Sequence, residues 1–290
     1  HIMNAILIGY LFEKLLIPGA WVAAFFFALH PVHVESVAWI TERKNVLSIF
    51  FYLLSLIIYL RFAFVNFIEN QKQLVGFKHI KHYIISLLLF FCALGSKTVT
   101  CTLPAAILLV IWWKRKKVSL KDFFPLIPFF IMALIVAVLT SWLEQNHVGA
   151  TGDEWKFTLI ERFLIAGRVL WFYIQKIIYP QPLIFSYPRW DINVNEIEQF
   201  FYPLGFFGLI ILLWKIRFRI GYGPLTAILF FAGTLFPALG FINVYPMRYS
   251  FVADHFQYLA SISIIGLFVV GLKHKINNEI VYKILTVVLL

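Results

Sequence analysis

Charged side chains are scarce in this sequence. Only 13% of the 290 residues are Asp, Glu, Lys or Arg, roughly half the share that a soluble domain carries. That scarcity excludes a soluble globular domain as the main component. Cysteine is scarcer still: Cys92 and Cys101 are the only two, and both lie in apolar context. They exclude a disulfide framework and a cysteine-based zinc site, and we expect both to be reduced core residues.

Long apolar runs make up most of the chain. A helix needs about 20 apolar residues to cross a bilayer, and repeated runs near that length predict an all-α integral membrane protein. We expect a polytopic helical bundle with nine to ten membrane segments, forming one domain over 1–290. The chain opens at His1 and stops at Leu290 inside apolar runs, so we expect a piece of a longer protein. The predicted segments are 2–17, 19–30, 45–65, 83–96, 98–113, 123–143, 201–214, 224–241, 250–272 and 281–290.

Basic runs indicate the orientation of these segments. Lys and Arg concentrate on the cytoplasmic side of membrane proteins, and three basic runs are Lys114–Lys117, Lys215–Arg219 and Lys273–Lys275. If all three face the cytoplasm, an even number of crossings separates each pair. Between the first two runs lie three apolar segments, 123–143, 158–180 and 201–214. The number of crossings is even only if one of them does not cross, and we expect that one to be 158–180. The net charge of +11 then reflects orientation and attraction to anionic membrane lipids, and we expect no nucleic-acid partner.

The segment 158–180 has an amphipathic pattern. Glu161, Arg168 and Gln175 recur seven residues apart, which gathers them on one helical face, opposite the apolar residues. Such a helix lies in the membrane interface, here on the outer side. A spanning helix whose polar face lines the bundle interior is the alternative.

The densest polar cluster is Leu29–Lys44, which lies between two apolar segments. It contains His30, His33, Glu35 and Arg43. Ionisable groups at a membrane boundary are costly, so each needs water, a partner or a ligand. Three interpretations stay open: a solvated helix with a local salt bridge, the polar wall of a substrate site, and a divalent-metal site. Imidazole and carboxylate groups suit the metal role.

Two further polar groups share the outer face in this topology. Lys97 follows the tip of a helical hairpin, and its ammonium either extends to the membrane interface or contacts a phosphate. Arg248 and Asp254 lie at the start of the long apolar helix predicted at 250–272. They either form an ion pair or, with Tyr249, contribute to a phosphate site.

Three blocks of the sequence resemble one known family. The blocks are Phe27-Ala-Leu-His-Pro-Val-His-Val-Glu-Ser-Val-Ala-Trp-Ile-Thr-Glu-Arg-Lys-Asn-Val-Leu-Ser48, then Ser96-Lys97 through Leu103-Pro104, and Arg248-Tyr-Ser-Phe-Val-Ala-Asp254. In this order they resemble blocks of the transmembrane and tetratricopeptide-repeat O-mannosyltransferases and their bacterial relatives. The first block is the most specific because of its length, and the resemblance covers nearly the whole chain.

The resemblance implies a helical bundle of the GT-C type, with its active site at the lumenal or periplasmic face. Members of this family transfer a sugar, typically mannose, from a polyprenyl- or dolichyl-phosphate donor to a protein hydroxyl, with inversion. The resemblance also implies tetratricopeptide repeats beyond residue 290. An acidic pair that holds the general base is expected upstream of His1. On that expectation, the chain by itself lacks its main catalytic carboxylate.

Roles for individual residues follow from this resemblance and from the chemistry of transfer. Glu35 and His33 are the catalytic candidates, since an inverting transfer needs a base for the acceptor hydroxyl, and a divalent metal is a candidate cofactor there. Cations are needed to stabilise the leaving phosphate. The substrate-binding candidates are Lys97, Arg248, Tyr249, Asp254, His30 and Arg43.

Two other classes of protein fit an apolar chain with these clusters. One is a transporter or flippase for a lipid-linked or anionic solute, whose ionisable groups belong near the bilayer midplane, on broken helices. In the predicted topology the ionisable groups gather at one face, which favours the enzyme. The other class is a non-catalytic membrane anchor for a partner.

Overall fold

The computed structural model of the chain describes residues 1–64, 77–149 and 152–276. Within these ranges the fold consists of twelve α-helices joined by short 3-10 turns, one π-helical turn and loops, and it contains no strand. The helices are α1 (Ile2–Lys14), α2 (Ala20–Leu29), α3 (Val34–Ala38), α4 (Arg43–Ala63), α5 (Phe77–Ser96), α6 (Leu103–Arg115), α7 (Leu120–Phe123), α8 (Ile127–Leu143), α9 (Leu159–Ile178), α10 (Ile197–Ile220), α11 (Gly223–Leu235) and α12 (Ser261–Lys275).

Several helices have the length and composition of membrane spans. Among the described residues, three stretches meet both conditions: Ile40–Ala63, Leu120–Val148 and Ile197–Ile220. A fourth is a pair bent by 56°, Ala20–Leu29 with Pro31–Ala38. These findings confirm an all-helical protein with apolar helices long enough to cross a bilayer. The number of nine to ten segments stays a prediction, and its last segment, 281–290, lies outside the described residues.

The prediction of one long helix over 250–272 is wrong in its first half. The helix α12 begins only at Ser261, and the residues before it form an irregular chain with a 3-10 turn at Asp254–Gln257. Long-range hydrogen bonds explain the difference. The Tyr173 hydroxyl accepts a hydrogen bond from the Ala253 N–H at 3.1 Å and donates one to the Ala253 carbonyl at 3.2 Å. The Ala253 N–H is therefore unavailable to a helix, and the Ala253 carbonyl, which also accepts the Phe256 N–H, begins only a 3-10 turn.

The amphipathic segment 158–180 forms a single helix, α9, as predicted. Its first turn is stabilised by a capping box in which Thr158 and Glu161 bond each other's backbone N–H groups. Its polar side chains hold neighbouring loops. Arg162 donates to the Gly240 carbonyl and the Asn243 side chain, and Lys176 donates to the Pro182 carbonyl. The sequence pattern thus identified the helix, and its polar face is largely occupied by the loops that follow it.

The two cysteines differ in their surroundings. Both are free thiols, as predicted, but Cys92 is exposed on α5 and Cys101 is only partly buried. The expectation that both lie in the core is therefore wrong. In an apolar helix, a small hydrophobic side chain is tolerated on the outer surface as well as inside.

Small residues let several helices approach closely. A Cβ atom at Gly9 of α1 would lie 2.6 Å from the Trp21 ring of α2, and one at Gly266 of α12 would lie 2.7 Å from the Phe12 ring of α1. Close approach at glycine is a common way for apolar helices to associate, because dispersion contacts replace the hydrophobic effect in lipid. These contacts position the helices that carry the polar groups described below.

The closest of these contacts joins α9 and α10. A Cβ atom at Gly167 would lie 2.4 Å from the Pro203 backbone nitrogen. We therefore expect Gly167→Ala to lower the free energy of unfolding in detergent by about 1–3 kcal/mol through overpacking. Gly208→Ala is the matched control, because a Cβ there meets no atom within 4 Å and alanine favours the helix. Equal thermal midpoints for the parent and Gly167→Ala would contradict this helix contact.

Candidate functional site

The polar stretch after α2 forms a sharp bend. His30 precedes a 3-10 turn that contains Pro31, and its ring accepts the Val32 N–H at 3.3 Å. The other ring nitrogen of His30 lies 2.9 Å from the Ile177 carbonyl of α9. A proline in a first turn lacks only an N–H that would be unbonded anyway, so it fixes the bend at little cost. The bend places α3 and the start of α4 beside the segment that precedes α12.

His33 is a core residue in this structure. Its side chain is 1% exposed. Its Nδ1 lies 2.8 Å from the Phe27 carbonyl and its Nε2 lies 2.9 Å from the Ser261 hydroxyl. Both ring nitrogens are therefore engaged in hydrogen bonds that tie the bend to α12. The structure thus places His33 in the core, where both of its ring nitrogens support the fold.

Glu35 and His255 form the first polar pair of the site. The Glu35 carboxylate accepts two hydrogen bonds from His255, one from the backbone N–H and one from the ring Nδ1, both at 2.9 Å. Both side chains are 11% exposed. Asn45 of α4 supports the pair, since its amide donates to the His255 carbonyl at 2.9 Å and to the Ser36 hydroxyl at 3.0 Å. Three separate parts of the chain meet here.

Glu42 and Lys97 form the second pair. The Lys97 ammonium donates to the Glu42 carboxylate at 2.7 Å, with side-chain exposures of 13% and 4%. Burial lowers the pKa of Lys97 below its usual value, and the attraction of Glu42 opposes that fall. Lys44 also reaches Glu42, at 3.5 Å, from an exposed position. A buried ion pair of this kind is held in place by the requirement that neither charge be left alone.

Asp254 and Tyr187 form the third pair. The Tyr187 hydroxyl donates to the two Asp254 carboxylate oxygens, at 3.1 Å from each. Burial raises the pKa of Asp254 to about 6, and the nearby Glu35 carboxylate adds to the rise, against the hydrogen bonds from Tyr187. A carboxyl with a pKa near neutrality suits acid–base chemistry. It also responds to small changes of pH.

These pairs are close enough to influence one another. Glu35 raises the pKa of both Asp254 and Lys97. A small pocket is lined by Asn45, Lys97 and His255 together with Thr234 and apolar residues. The Glu35 cluster, as we name it, consists of the five ionisable residues at this place in the fold: Glu35, Glu42, Lys97, Asp254 and His255.

Besides His30 and His33, three of the sequence-derived candidates are not brought into the cluster by any described contact. Arg248 pairs with Glu154 at 2.9 Å, and both side chains are 44% exposed. The alternative of an Arg248–Asp254 ion pair is therefore wrong. Tyr249 is exposed beside Arg248. Arg43 is exposed and donates from Nε to the Ile40 carbonyl at 3.1 Å.

Two members of the cluster, Glu42 and His255, are absent from the sequence-derived candidates. Glu42 lies in the dense polar stretch and His255 directly follows Asp254, so proximity in sequence was a usable signal for both. Their partners lie 55 and 220 residues away along the chain. No local pattern contains that information.

The predicted metal site does not fit these residues. Of the three proposed ligands, His30 and His33 use both ring nitrogens in hydrogen bonds within the protein, and both oxygens of Glu35 accept from His255. In the part of the chain that the structure describes, no group of three or more His, Cys, Asp or Glu residues is arranged to hold a metal ion. We therefore derive no step through a metal.

Comparisons of the chain with protein-family models, curated proteins and solved structures find no match. The resemblance to the O-mannosyltransferases stays a prediction that rests on three blocks of sequence.

Proposed function

We propose that the chain is the membrane core of an inverting glycosyltransferase of the GT-C type. In this proposal it takes a sugar, in the first place mannose, from a polyprenyl- or dolichyl-phosphate donor and transfers it to a protein hydroxyl. The chain crosses the bacterial inner membrane or the endoplasmic reticulum membrane several times. Its reaction takes place at the periplasmic or lumenal face, opposite the basic runs.

The observation that supports this proposal most is the convergence of the Glu35 cluster beside apolar helices. Lys97 and His255 come from distant parts of the chain and line one small pocket, and Glu35 is bonded to the His255 ring. Carboxylate and imidazole groups can accept the proton of an attacking hydroxyl. A cation beside them can stabilise the charge that develops on a leaving phosphate. Both requirements of sugar transfer are met within one small region.

Lys97 is the residue that we assign to the donor phosphate. It lines the pocket and is largely removed from water, so its attraction to an incoming anion is little screened. Its pairing with Glu42 holds the ammonium in position before the donor arrives. Arg248 stays a candidate for a more exposed part of the donor or acceptor path, because it lies outside the cluster and is itself paired with Glu154.

A donor-binding measurement tests this assignment. The chain in lipid nanodiscs is titrated with radiolabelled polyprenyl-phosphate mannose. The double variant Glu42→Gln/Lys97→Met removes both buried charges together, so neither is left without a counter-charge. We expect its affinity for the donor to be at least about tenfold lower than that of the parent, a change of roughly 1.4 kcal/mol.

The control is Lys44→Met, which removes an exposed cation that also contacts Glu42. We expect its affinity for the donor to stay within about twofold of the parent, because exposed ion pairs contribute little. Equal affinity for the double variant and the parent would remove Lys97 from the donor site. A parent that does not bind the donor would contradict the proposed function itself.

A transporter for a lipid-linked or anionic solute is the second candidate, and one observation favours it. The bent pair Ala20–Leu29 and Pro31–Ala38, with its 56° break, is a discontinuous helix of the kind on which transporters build substrate sites. Movement of polyprenyl-phosphate mannose across the bilayer of sealed vesicles, with no transfer to a peptide, would favour this candidate.

A further inference from the structure

The His255 ring is held by one nitrogen only. Its Nδ1 lies 2.9 Å from Glu35 Oε1, and its own backbone N–H donates to Glu35 Oε2. An ionised carboxylate can only accept hydrogen bonds, so Nδ1 carries the proton in this pair. The lone pair of the neutral imidazole is therefore on Nε2. A carboxylate that holds a histidine in this way sets both its tautomer and the orientation of its ring.

The Nε2 atom has no hydrogen-bond partner among the described residues. This sets His255 apart from His33, whose two nitrogens are both occupied. His255 and Lys97 also line the same pocket. An imidazole with one nitrogen fixed by a carboxylate and the other unbonded is arranged to accept a proton from a bound hydroxyl.

We propose that His255 is the general base of this site and that Glu35 is its positioning residue. This inference rests on the proposed function, and it assigns to an imidazole the role that the family resemblance gives to a carboxylate upstream of His1. It follows that donor binding and transfer both reside in the described part of the chain.

The acceptor hydroxyl gives its proton to His255 Nε2, and its oxygen forms a bond to the anomeric carbon of the sugar on the opposite side from the phosphate. The bond between the anomeric carbon and the phosphate oxygen breaks, and its electron pair leaves with the polyprenyl phosphate. The imidazolium that forms is stabilised by Glu35, and Lys97 stabilises the phosphate.

The test uses two substitutions at His255 in the whole chain, reconstituted in proteoliposomes. The assay supplies radiolabelled polyprenyl-phosphate mannose and a serine- and threonine-containing peptide. His255→Asn retains an amide N–H near the position of Nδ1 and so retains a donor for Glu35, but it has no group at the position of Nε2. We expect the donor affinity of this variant to stay within about twofold of the parent, and its thermal midpoint within a few degrees. We expect its rate of transfer to fall by roughly 10²–10⁴-fold.

His255→Ala provides the second measurement. It opens a space beside Glu35, and we expect added imidazole to restore part of the lost transfer, whereas imidazole does nothing for the parent. Glu35→Gln leaves the ring in place but no longer requires the proton to be on Nδ1. We expect Glu35→Gln to lower kcat and to leave the KM for the donor nearly unchanged.

The outcomes separate this inference from the proposed function. Transfer by the parent that is lost in His255→Asn and returned to His255→Ala by imidazole supports the general base. Normal transfer by His255→Asn overturns it and leaves the glycosyltransferase in place. A parent that binds the donor but transfers nothing also overturns it, because the base then lies elsewhere. Absence of donor binding rejects both.

Discussion

Glu42→Gln is expected to lower the free energy of unfolding by about 3–5 kcal/mol, which is the range for breaking a buried ion pair by removing one partner. The reason is that Lys97 is 13% exposed and its ammonium is bonded to Glu42 at 2.7 Å. Glutamine preserves the shape of the side chain and removes only the charge. The measurement is chemical unfolding in detergent, followed by tryptophan fluorescence.

Two further variants make this expectation specific. Glu42→Gln/Lys97→Met should recover most of the lost stability, because apolar replacement of both charges is often neutral or better. Lys44→Met, at the exposed contact to the same carboxylate, should change stability by less than about 1 kcal/mol. A loss below about 1 kcal/mol in Glu42→Gln itself would show that Lys97 reaches water when its partner is gone.

Asp254→Asn is expected to change how stability depends on pH. Folding raises the pKa of Asp254 from 3.8 to about 6. A carboxyl with a raised pKa favours the folded state when it is protonated, so its contribution is complete below pH 4 and is lost as the pH rises through 6. This difference of about two in pKa corresponds to about 3 kcal/mol in the free energy of unfolding.

The asparagine variant removes this titration and still offers Tyr187 an amide oxygen. We therefore expect Asp254→Asn to match the parent near pH 4 and to be more stable by up to about 3 kcal/mol at pH 8. Thermal midpoints between pH 4 and pH 8 measure the difference. Asp191→Asn, at an exposed position, is the control and should follow the parent within about 0.5 kcal/mol. Parallel curves for Asp254→Asn and the parent would place the Asp254 carboxyl in water.

Local patterns in the sequence were sufficient for much of the helical architecture. The seven-residue spacing of Glu161, Arg168 and Gln175 predicted α9, whose start is marked by the Thr158 capping box. The apolar runs predicted helices of membrane-spanning length, and three such stretches lie in the described ranges. Propensity and periodicity are properties of neighbouring residues, so they can be read without knowledge of the tertiary fold.

The site itself depends on contacts that neighbouring residues do not encode. The sequence drew attention to Glu35, Lys97 and Asp254, but each finds its partner elsewhere in the fold. His33 and His255 both lie in polar stretches of the sequence, which does not distinguish them. In the structure His33 is buried with both ring nitrogens bonded, whereas His255 retains an unbonded Nε2. Only tertiary structure distinguishes a supporting histidine from an available one.

The phenol of Tyr173 has a consequence for the length of α12. Asp254–Gln257, which follow Ala253, form only a 3-10 turn, and a side chain 80 positions upstream holds the backbone just before that turn. A residue outside α12 thus helps to determine where that helix begins. A displacement of α9 would free the Ala253 N–H and remove a contact that holds the backbone next to Asp254 and His255. The positions of Asp254 and His255 are therefore coupled to the position of α9.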